Sequence, residues 1–224
     1  AQQLDSLSLK TFNFKTLNLE LNMDIHQILL KYWGHNTFRP LQEDIINSAL
    51  DGKDTLALLP TGGGKSICFQ VPVMAKEGIC IVVSPLIALM KDQVENLTKR
   101  NIKAVAIYSG MTKREIDITL DNCVYGKIKF LYISPERIET EIFKFRFEKM
   151  NVNFIAIDEA HCISQWGYDF RPSYLNIAKL REAKPDIPLI ALTATATPEV
   201  VIDIQKHLQF KKENALQKSF ERKN

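Results

Sequence analysis

From Ile25 onward the apolar positions Ile28, Leu29, Tyr32 and Trp33 return at helical spacing, and Gly34 is placed to stop that helix. A second helix is expected after Pro40, with Leu41, Ile45, Ile46 and Ala49 on one face and Gly52 at its end. Beyond Asp54 the pattern changes. Short unbroken apolar runs occur at Thr55 to Leu59, Ile79 to Val83, Ala104 to Tyr108, Phe130 to Ile133, Phe154 to Ile157 and Leu189 to Leu192. They alternate with amphipathic stretches such as the one carrying Leu86, Leu89, Met90, Val94 and Leu97. A run without polar alternation is what a strand covered on both faces requires. Strands separated by helices imply right-handed crossovers and a parallel sheet between two helical layers. The expected fold class is therefore a three-layer α/β domain with a mostly parallel central sheet. Its chemistry belongs in the loops beyond the carboxyl ends of the strands.

The ends of the chain read differently. Residues 1–22 mix leucine and polar residues without a clear period, and Met23 opens the helical pattern, so 1–22 are set apart as a leader and 23–210 as the domain. Residues 211–224 are expected to begin a linker.

Composition narrows the class. In 224 residues, 46% are hydrophobic and 25% charged, which excludes a disordered, collagen-like or disulfide-knotted chain. The formal net charge of +3 is too small to announce a nucleic-acid partner by bulk electrostatics. Its excess sits at the end, because residues 206–224 hold six basic side chains against two acidic ones. Cys68, Cys80, Cys123 and Cys162 are widely spaced, without a C-x-x-C pair, so neither a disulfide framework nor a zinc site is expected from spacing. No apolar run reaches the length of about 18 residues that spans a bilayer. A cytoplasmic location fits these features, nucleoid-associated if the source is bacterial.

Two motifs carry chemistry. Pro60-Thr61-Gly62-Gly63-Gly64-Lys65-Ser66 follows the first expected strand and opens a helix. Its glycines let backbone N–H groups approach a polyphosphate, the helix N-terminus adds positive potential, Lys65 reaches the β- and γ-phosphates, and Ser66 binds magnesium. The general phosphate-loop pattern has a further glycine where this chain has Leu59, so the match is to the variant G-x-G-K-S. Asp158-Glu159-Ala160-His161 follows the run ending at Ile157 and emerges at the same sheet edge. Asp158 is expected to hold magnesium through its water shell and Glu159 to orient or deprotonate the attacking water. An Asp-Glu pair alone is more often a turn; the phosphate loop gives it chemical meaning.

The ordered series of motifs resembles superfamily 2 helicases, and within them the RecQ family of DNA helicases, over Ile25 to Asn224. Phe38-Arg39-Pro40-Leu41-Gln42 is similar to the upstream adenine-reading motif, Thr61 to Ser66 to motif I, and Ser84-Pro85-Leu86 to motif Ia. Ser134-Pro135-Glu136 is similar to motif Ib, Asp158 to His161 to the DEAH box of motif II, and Thr193-Ala194-Thr195 to motif III. The stretch Cys162 to Pro172 looks like the aromatic-rich loop of RecQ proteins, with Tyr168 standing where the family commonly has histidine and Ser173 where it has glutamate.

This resemblance implies a RecA-like phosphate-loop domain that uses ATP with Mg2+. It implies adenine recognition by Arg39 and Gln42, with His35 at a position that is often aromatic. Ser84, Ser134 and Thr193 would hold a phosphodiester backbone, while His161 and Thr193 to Thr195 would connect the ATP site to the DNA face. Gln165, Trp166, Tyr168, Phe170 and Arg171 would form a DNA-contacting and coupling loop, whose flat rings offer stacking platforms for unpaired bases. The interleaved Gly167, Asp169 and Pro172 favour an exposed loop over a core cluster.

By the same resemblance the parent is an ATP-dependent 3′-to-5′ DNA helicase of repair and recombination. Its partners would be single-stranded DNA, tailed or branched duplexes, and a second RecA-like domain of the same chain that supplies an arginine. The sequence stops at Ser219 to Asn224, which resembles the linker into that domain except for Lys223 in place of proline. The chain is thus expected to bind nucleotide and to hydrolyse it poorly by itself. Two alternatives stay open at this point: a superfamily 2 translocase or RNA remodeller, and an ATP-gated DNA-binding module.

Overall fold

The computed structural model describes residues 23–217. The leader expected over residues 1–22 and the linker end at 218–224 lie outside the described residues. Helix α1 (Ile25–Trp33) ends as its pattern requires, at Gly34 with φ +71°, a left-handed conformation that glycine adopts without steric cost. Helix α2 (Gln42–Leu50) starts two residues after Pro40, with Leu41 left-handed before it and Glu43 and Asp44 in its first turn. Those carboxylates complement the positive end of the helix dipole.

The alternating region follows in order: β1 (Thr55–Leu58), α3 (Lys65–Ala75), β2 (Ile79–Val83), α4 (Ile87–Lys99), β3 (Ala104–Ile107), α5 (Lys113–Tyr125) and β4 (Phe130–Ile133). After a 3-10 turn come α6 (Glu141–Lys149) and β5 (Val152–Ile157). Two further 3-10 turns, Ala160–Ile163 and Pro172–Ile177, precede α7 (Ala178–Ala183), β6 (Leu189–Thr193), α8 (Pro198–His207) and β7 (Ala215–Gln217). Among the described residues seven strands form one sheet in the order β3-β4-β2-β5-β6-β1-β7. Every neighbouring pair is parallel.

Burial explains the unbroken apolar runs. Ile79, Ile81 and Val83 of β2 face one core with Leu120 of α5, Phe143 and Phe147 of α6, Leu180 of α7 and Ile204 of α8. Cys80 and Val82 face the other, with Ile45 of α2, Phe69 and Val73 of α3, and Met90 and Leu97 of α4. Alternate residues of one strand thus enter two apolar cores. Helix α1 packs outside the second layer through Ile28 and Leu29 against Ile46 and Val71. No helix among the described residues is long and apolar enough to cross a membrane.

Departures from the sequence expectation sit at strand edges. In β3, at the end of the sheet order, Val105 and Ala106 are only half-buried, because among the described residues β4 alone pairs with it. Strand β5 begins at Val152, before the apolar run, because Asn153 is buried with its amide on the Val73 and Lys76 carbonyls. Within the segment read as linker, Ala215–Gln217 pairs with β1 as a seventh strand. Three residues at an exposed edge leave no hydrophobic signature to read.

At the amino ends of the strands one ion pair ties the sheet to its connections. The Asp54 carboxylate meets the Arg181 guanidinium, and both side chains are almost wholly buried. Asp54 also accepts the Leu189 N–H at 3.0 Å and the Lys211 N–H at 2.9 Å, while Arg181 donates to the Pro185 and Ile187 carbonyls. Removing one partner leaves a charge and several N–H groups uncompensated. Asp54→Ala should therefore lower the unfolding free energy of the chain by about 3–5 kcal/mol in urea denaturation. A loss under about 1 kcal/mol, the size of an exposed pair, would contradict this role.

Candidate nucleotide site and adjoining aromatic loop

In a wholly parallel sheet all strand-end loops emerge on one edge, and the register decides which meet. Val83 lies beside Ile157, and Leu58 beside Thr193, across the neighbours β2-β5-β6-β1. One residue further on, Ser84 and Asp158 stand abreast, and the Ser84 hydroxyl donates to Asp158 Oδ2 at 3.4 Å.

The phosphate loop leaves β1 through Leu59 and turns at Thr61 to Gly63, where the Gly63 N–H bonds the Pro60 carbonyl at 2.8 Å. Gly64 caps α3 at φ +77°, and a Cβ there would run into the Gln42 amide. Its left-handed backbone angle favours glycine, and a larger residue would also push the Gln42 amide aside. Lys65 begins α3, and its Nζ lies 3.6 Å from Glu159 Oε1. That distance places the glycine turn and the acidic pair in one site.

Glu159 is itself left-handed at φ +47°, which turns the chain sharply from β5 into the 3-10 turn and aims its carboxylate back at Lys65. Asp158 Oδ1 accepts the Glu159 N–H at 3.0 Å, and Tyr174 Oη donates to the Asp158 carbonyl at 3.0 Å. Burial, followed by the neighbouring Glu159 charge, holds the Asp158 carboxyl above its ordinary range, against the pull of Lys65. His161 is 3% exposed. Its Nδ1 lies 2.9 Å from Thr193 Oγ1 and 3.3 Å from Glu159 Oε2. Burial depresses its pKa more than Glu159 raises it, which favours the neutral ring. Thr193 in turn donates to the Thr195 carbonyl at 3.2 Å. Glu159, His161 and Thr193 thereby link the ends of β5 and β6.

Arg39 and Gln42 reach the same loop. The Arg39 guanidinium donates to the Gly62 carbonyl at 2.6 Å, and Gln42 Nε2 donates to Gly64 O at 3.1 Å and Gly63 O at 3.4 Å. Gln42 Oε1 accepts the Arg39 N–H at 2.8 Å. Both polar ends of this amide, expected at an adenine edge, are thus engaged with protein and brace the phosphate loop. Thr61 is exposed on the turn, Ser66 is half-buried in the first turn of α3, and His35 is exposed beyond α1 without a hydrogen bond to the loop.

Two hydroxyls expected on a DNA face turn inward instead. Ser84 is 1% exposed and Thr193 is fully buried, and their side chains serve Asp158 and His161. The register forces this, since each stands beside a motif II strand end. Ser134 is half-buried and Thr195 exposed.

The aromatic loop is open as its composition suggests, with Trp166 78% and Tyr168 77% exposed, Gln165 exposed and Phe170 half-buried. Tyr168 nonetheless stacks on the His161 ring, with centroids 4.5 Å apart and planes at 21°. Arg171 donates to Asp169 Oδ2 at 3.0 and 3.2 Å and to the Pro85 carbonyl at 3.3 Å, which ties the loop to the segment after β2. Gly167 and Asp169 were read from the sequence only as marks of an exposed loop, and Tyr174 was given no role. The i, i+2 spacing of Asp169 and Arg171 could have flagged their ion pair. Gly167 is required because a Cβ would meet the His161 carbonyl at 2.7 Å. The Tyr174 bond to Asp158 had no sequence signal.

The Ser66 hydroxyl and the Asp158 carboxylate offer hard oxygen donors, the kind magnesium prefers, and the glycine turn with Lys65 suits a polyphosphate. A separate cavity of about 450 Å3, lined by Tyr32, Lys76, Gly78, Lys103 and Lys129 among others, lies at the opposite, amino end of the strands.

Comparison with known proteins agrees with this geometry. Residues 39–204 match the family model described as DEAD/DEAH box helicase. The chain is 44% identical over 197 residues to the ATP-dependent DNA helicase RecQ of Haemophilus influenzae, covering 88% of this chain and 32% of that protein. It is 47% identical over 199 residues to the Bacillus subtilis RecQ, covering 88% of this chain and 34% of the other. The chain therefore spans about a third of the length of these relatives. Among solved structures, the Pyrococcus furiosus Hef helicase domain aligns with a TM-score of 0.60 at 22% identity, over 80% of this chain and 37% of that one. The DUF1998 helicase MrfA aligns at 0.68 and 19%, over 89% and 33%. These structural likenesses establish the fold. With a family match over most of its length and the phosphate loop facing the DEAH box, the chain belongs to the DEAD/DEAH box helicase family.

Proposed function

We propose that this chain is the ATP-binding motor unit of a RecQ-type, ATP-dependent 3′-to-5′ DNA helicase, which couples Mg2+-dependent hydrolysis to movement on single-stranded DNA. The observation that carries the reading is the 3.6 Å approach of Lys65 to Glu159. The 44–47% identity to RecQ helicases narrows the class. Lys65 holds the terminal phosphates, Ser66 and Asp158 hold magnesium, Asp158 through water, and Glu159 orients the attacking water. Magnesium, when bound, neutralises charge on the phosphates. Gln42 and Arg39 set the shape of the glycine turn, and the adenine is read beside them. His161 couples hydrolysis to DNA, because its ring touches Glu159, Thr193 and, by stacking, Tyr168 of the exposed loop. Trp166 offers a base-stacking surface on that loop.

Three outcomes follow. In the full-length protein, Lys65→Ala should lower DNA-stimulated ATP turnover about a hundredfold or more, and unchanged turnover would remove the assigned role of the loop. Trp166→Ala should keep ATP affinity within about twofold while weakening DNA stimulation and unwinding of a 3′-tailed DNA duplex by roughly tenfold, the size of one lost stacking contact. Full stimulation in that variant, or unwinding of an RNA duplex in preference to DNA, would overturn the loop assignment.

The third concerns stability without metal. The raised Asp158 carboxyl binds its proton more tightly folded than unfolded, so its ionisation destabilises the fold. The penalty is absent below the ordinary carboxylate value near pH 4 and grows as pH rises through the raised folded value. Asp158→Asn in a chelator should therefore raise the melting temperature at pH 7 and leave it little changed near pH 3. An Asp158→Asn chain that melts lower than the parent at pH 7 would contradict this.

A further inference from the structure

The coupling histidine uses only one of its two ring nitrogens in the contacts described above. Nδ1 is held by Thr193 and Glu159, which leaves Nε2 directed to the other side of the ring. There it lies 3.8 Å from Cys162 Sγ, and Cys162 Sγ lies 3.6 Å from Asp169 Oδ2. One ligand atom from each of His161, Cys162 and Asp169 falls within 4.8 Å of the others. In a tetrahedral zinc site, bonds of about 2.0–2.3 Å put neighbouring ligand atoms about 3.3–3.8 Å apart. Two of the three edges are already near that length. A histidine that ligates through one nitrogen also typically has its other ring nitrogen held by a carboxylate or carbonyl, as Glu159 holds Nδ1 here.

We propose that His161 Nε2, Cys162 Sγ and the Asp169 carboxylate form a binding site for a thiophilic divalent cation, Zn2+ or its analogue Cd2+, which pins the exposed aromatic loop to the 3-10 turn after β5. Binding exchanges the thiol proton for the metal: the S–H bond breaks, a metal–thiolate bond forms, and the proton leaves to solvent without a redox change. The fourth position is left to water on the half-exposed Asp169 side.

Two features keep the affinity below that of a structural zinc site. Burial pushes the Cys162 thiol up to about 12, so the cation must displace a proton that is firmly held at neutral pH. The Arg171 guanidinium already sits on Asp169 Oδ2, so the cation must share or take that carboxylate. A site of this kind responds to changes in free zinc. Cysteine spacing conceals it, because two ligands are adjacent in sequence and the third returns seven residues after Cys162. If the proposed function holds, occupancy restrains the loop that senses DNA, and zinc inhibits DNA-stimulated turnover. That consequence rests on the proposed function, whereas the binding site does not.

The test titrates the reduced, metal-free chain with Cd2+ and follows the ultraviolet charge-transfer band of the cadmium–thiolate bond, with Zn2+ as competitor. One equivalent of Cd2+ should develop the band and Zn2+ should abolish it. Cys162→Ser should lack the band although Cys68, Cys80 and Cys123 remain, and Asp169→Asn should bind at least about tenfold more weakly. A band that survives Cys162→Ser, unchanged affinity in Asp169→Asn, or no saturable band in the parent chain would each overturn the site. Asp169→Asn changes a partly exposed side chain, so it decides the matter even if the buried Cys162→Ser does not fold. In the full-length protein, zinc at fixed Mg2+ should inhibit DNA-stimulated ATP turnover, and Cys162→Ser should relieve that inhibition. Cadmium binding with no zinc inhibition would overturn the regulatory consequence alone.

Discussion

A parallel sheet sends every strand-end loop to one edge, and the meeting of Lys65 with Glu159 is where that constraint becomes chemical. The lysine begins α3, directly after the loop that leaves β1, and the glutamate opens the turn after β5, with β6 between the two strands. Two residues 94 positions apart in the chain are therefore neighbours because β5, β6 and β1 lie side by side in that order. Reversing one of these strands would carry its loop to the other edge and separate the pair. The local device that completes the approach is the left-handed Glu159, a strained conformation for a non-glycine residue. Such strain persists only where the surroundings over-determine it, and here Lys65 and His161 both fix its carboxylate.

Around this contact the side chains form layers of decreasing burial. Ser84 and Thr193 are buried and serve Asp158 and His161; His161 is almost buried and carries Tyr168 on its ring; Tyr168 and Trp166 stand in solvent. A change at the acidic pair has a short packed route to the surface, from Glu159 through the imidazole to a stacked aromatic ring. On the far side of the phosphate loop, Arg39 and Gln42 grip its carbonyls. The glycine turn is thus braced from one side and addressed by Lys65 from the other. The ion pair of Asp54 and Arg181, at the amino ends of the strands, holds the sheet that positions all of this without entering the site.

Much of the fold was legible because periodicity reports burial. Six of the seven strands among the described residues announced themselves as apolar runs, since each contributes to two cores; β7 did not, because three residues at an exposed edge need no such run. The phosphate loop and the acidic pair were legible because their chemistry restricts residue type at fixed spacing. What stayed hidden depends on side-chain direction. Nothing in the sequence tells that Ser84 points at Asp158 and not outward, because that follows from the β2-β5 register. The use of Gln42 as a brace, the Tyr174 bond to Asp158 and the convergence of His161, Cys162 and Asp169 likewise arise only when loops fold back on one another.

The most direct measurement is a crystal structure of the chain with Mg2+ and a non-hydrolysable ATP analogue. The account requires the β- and γ-phosphates to lie on the backbone of residues 62–66, with Lys65 on them and the carboxylates of Asp158 and Glu159 turned toward the terminal phosphorus. A triphosphate seated instead in the cavity near Lys76 and Lys103, at the opposite end of the strands, would contradict it.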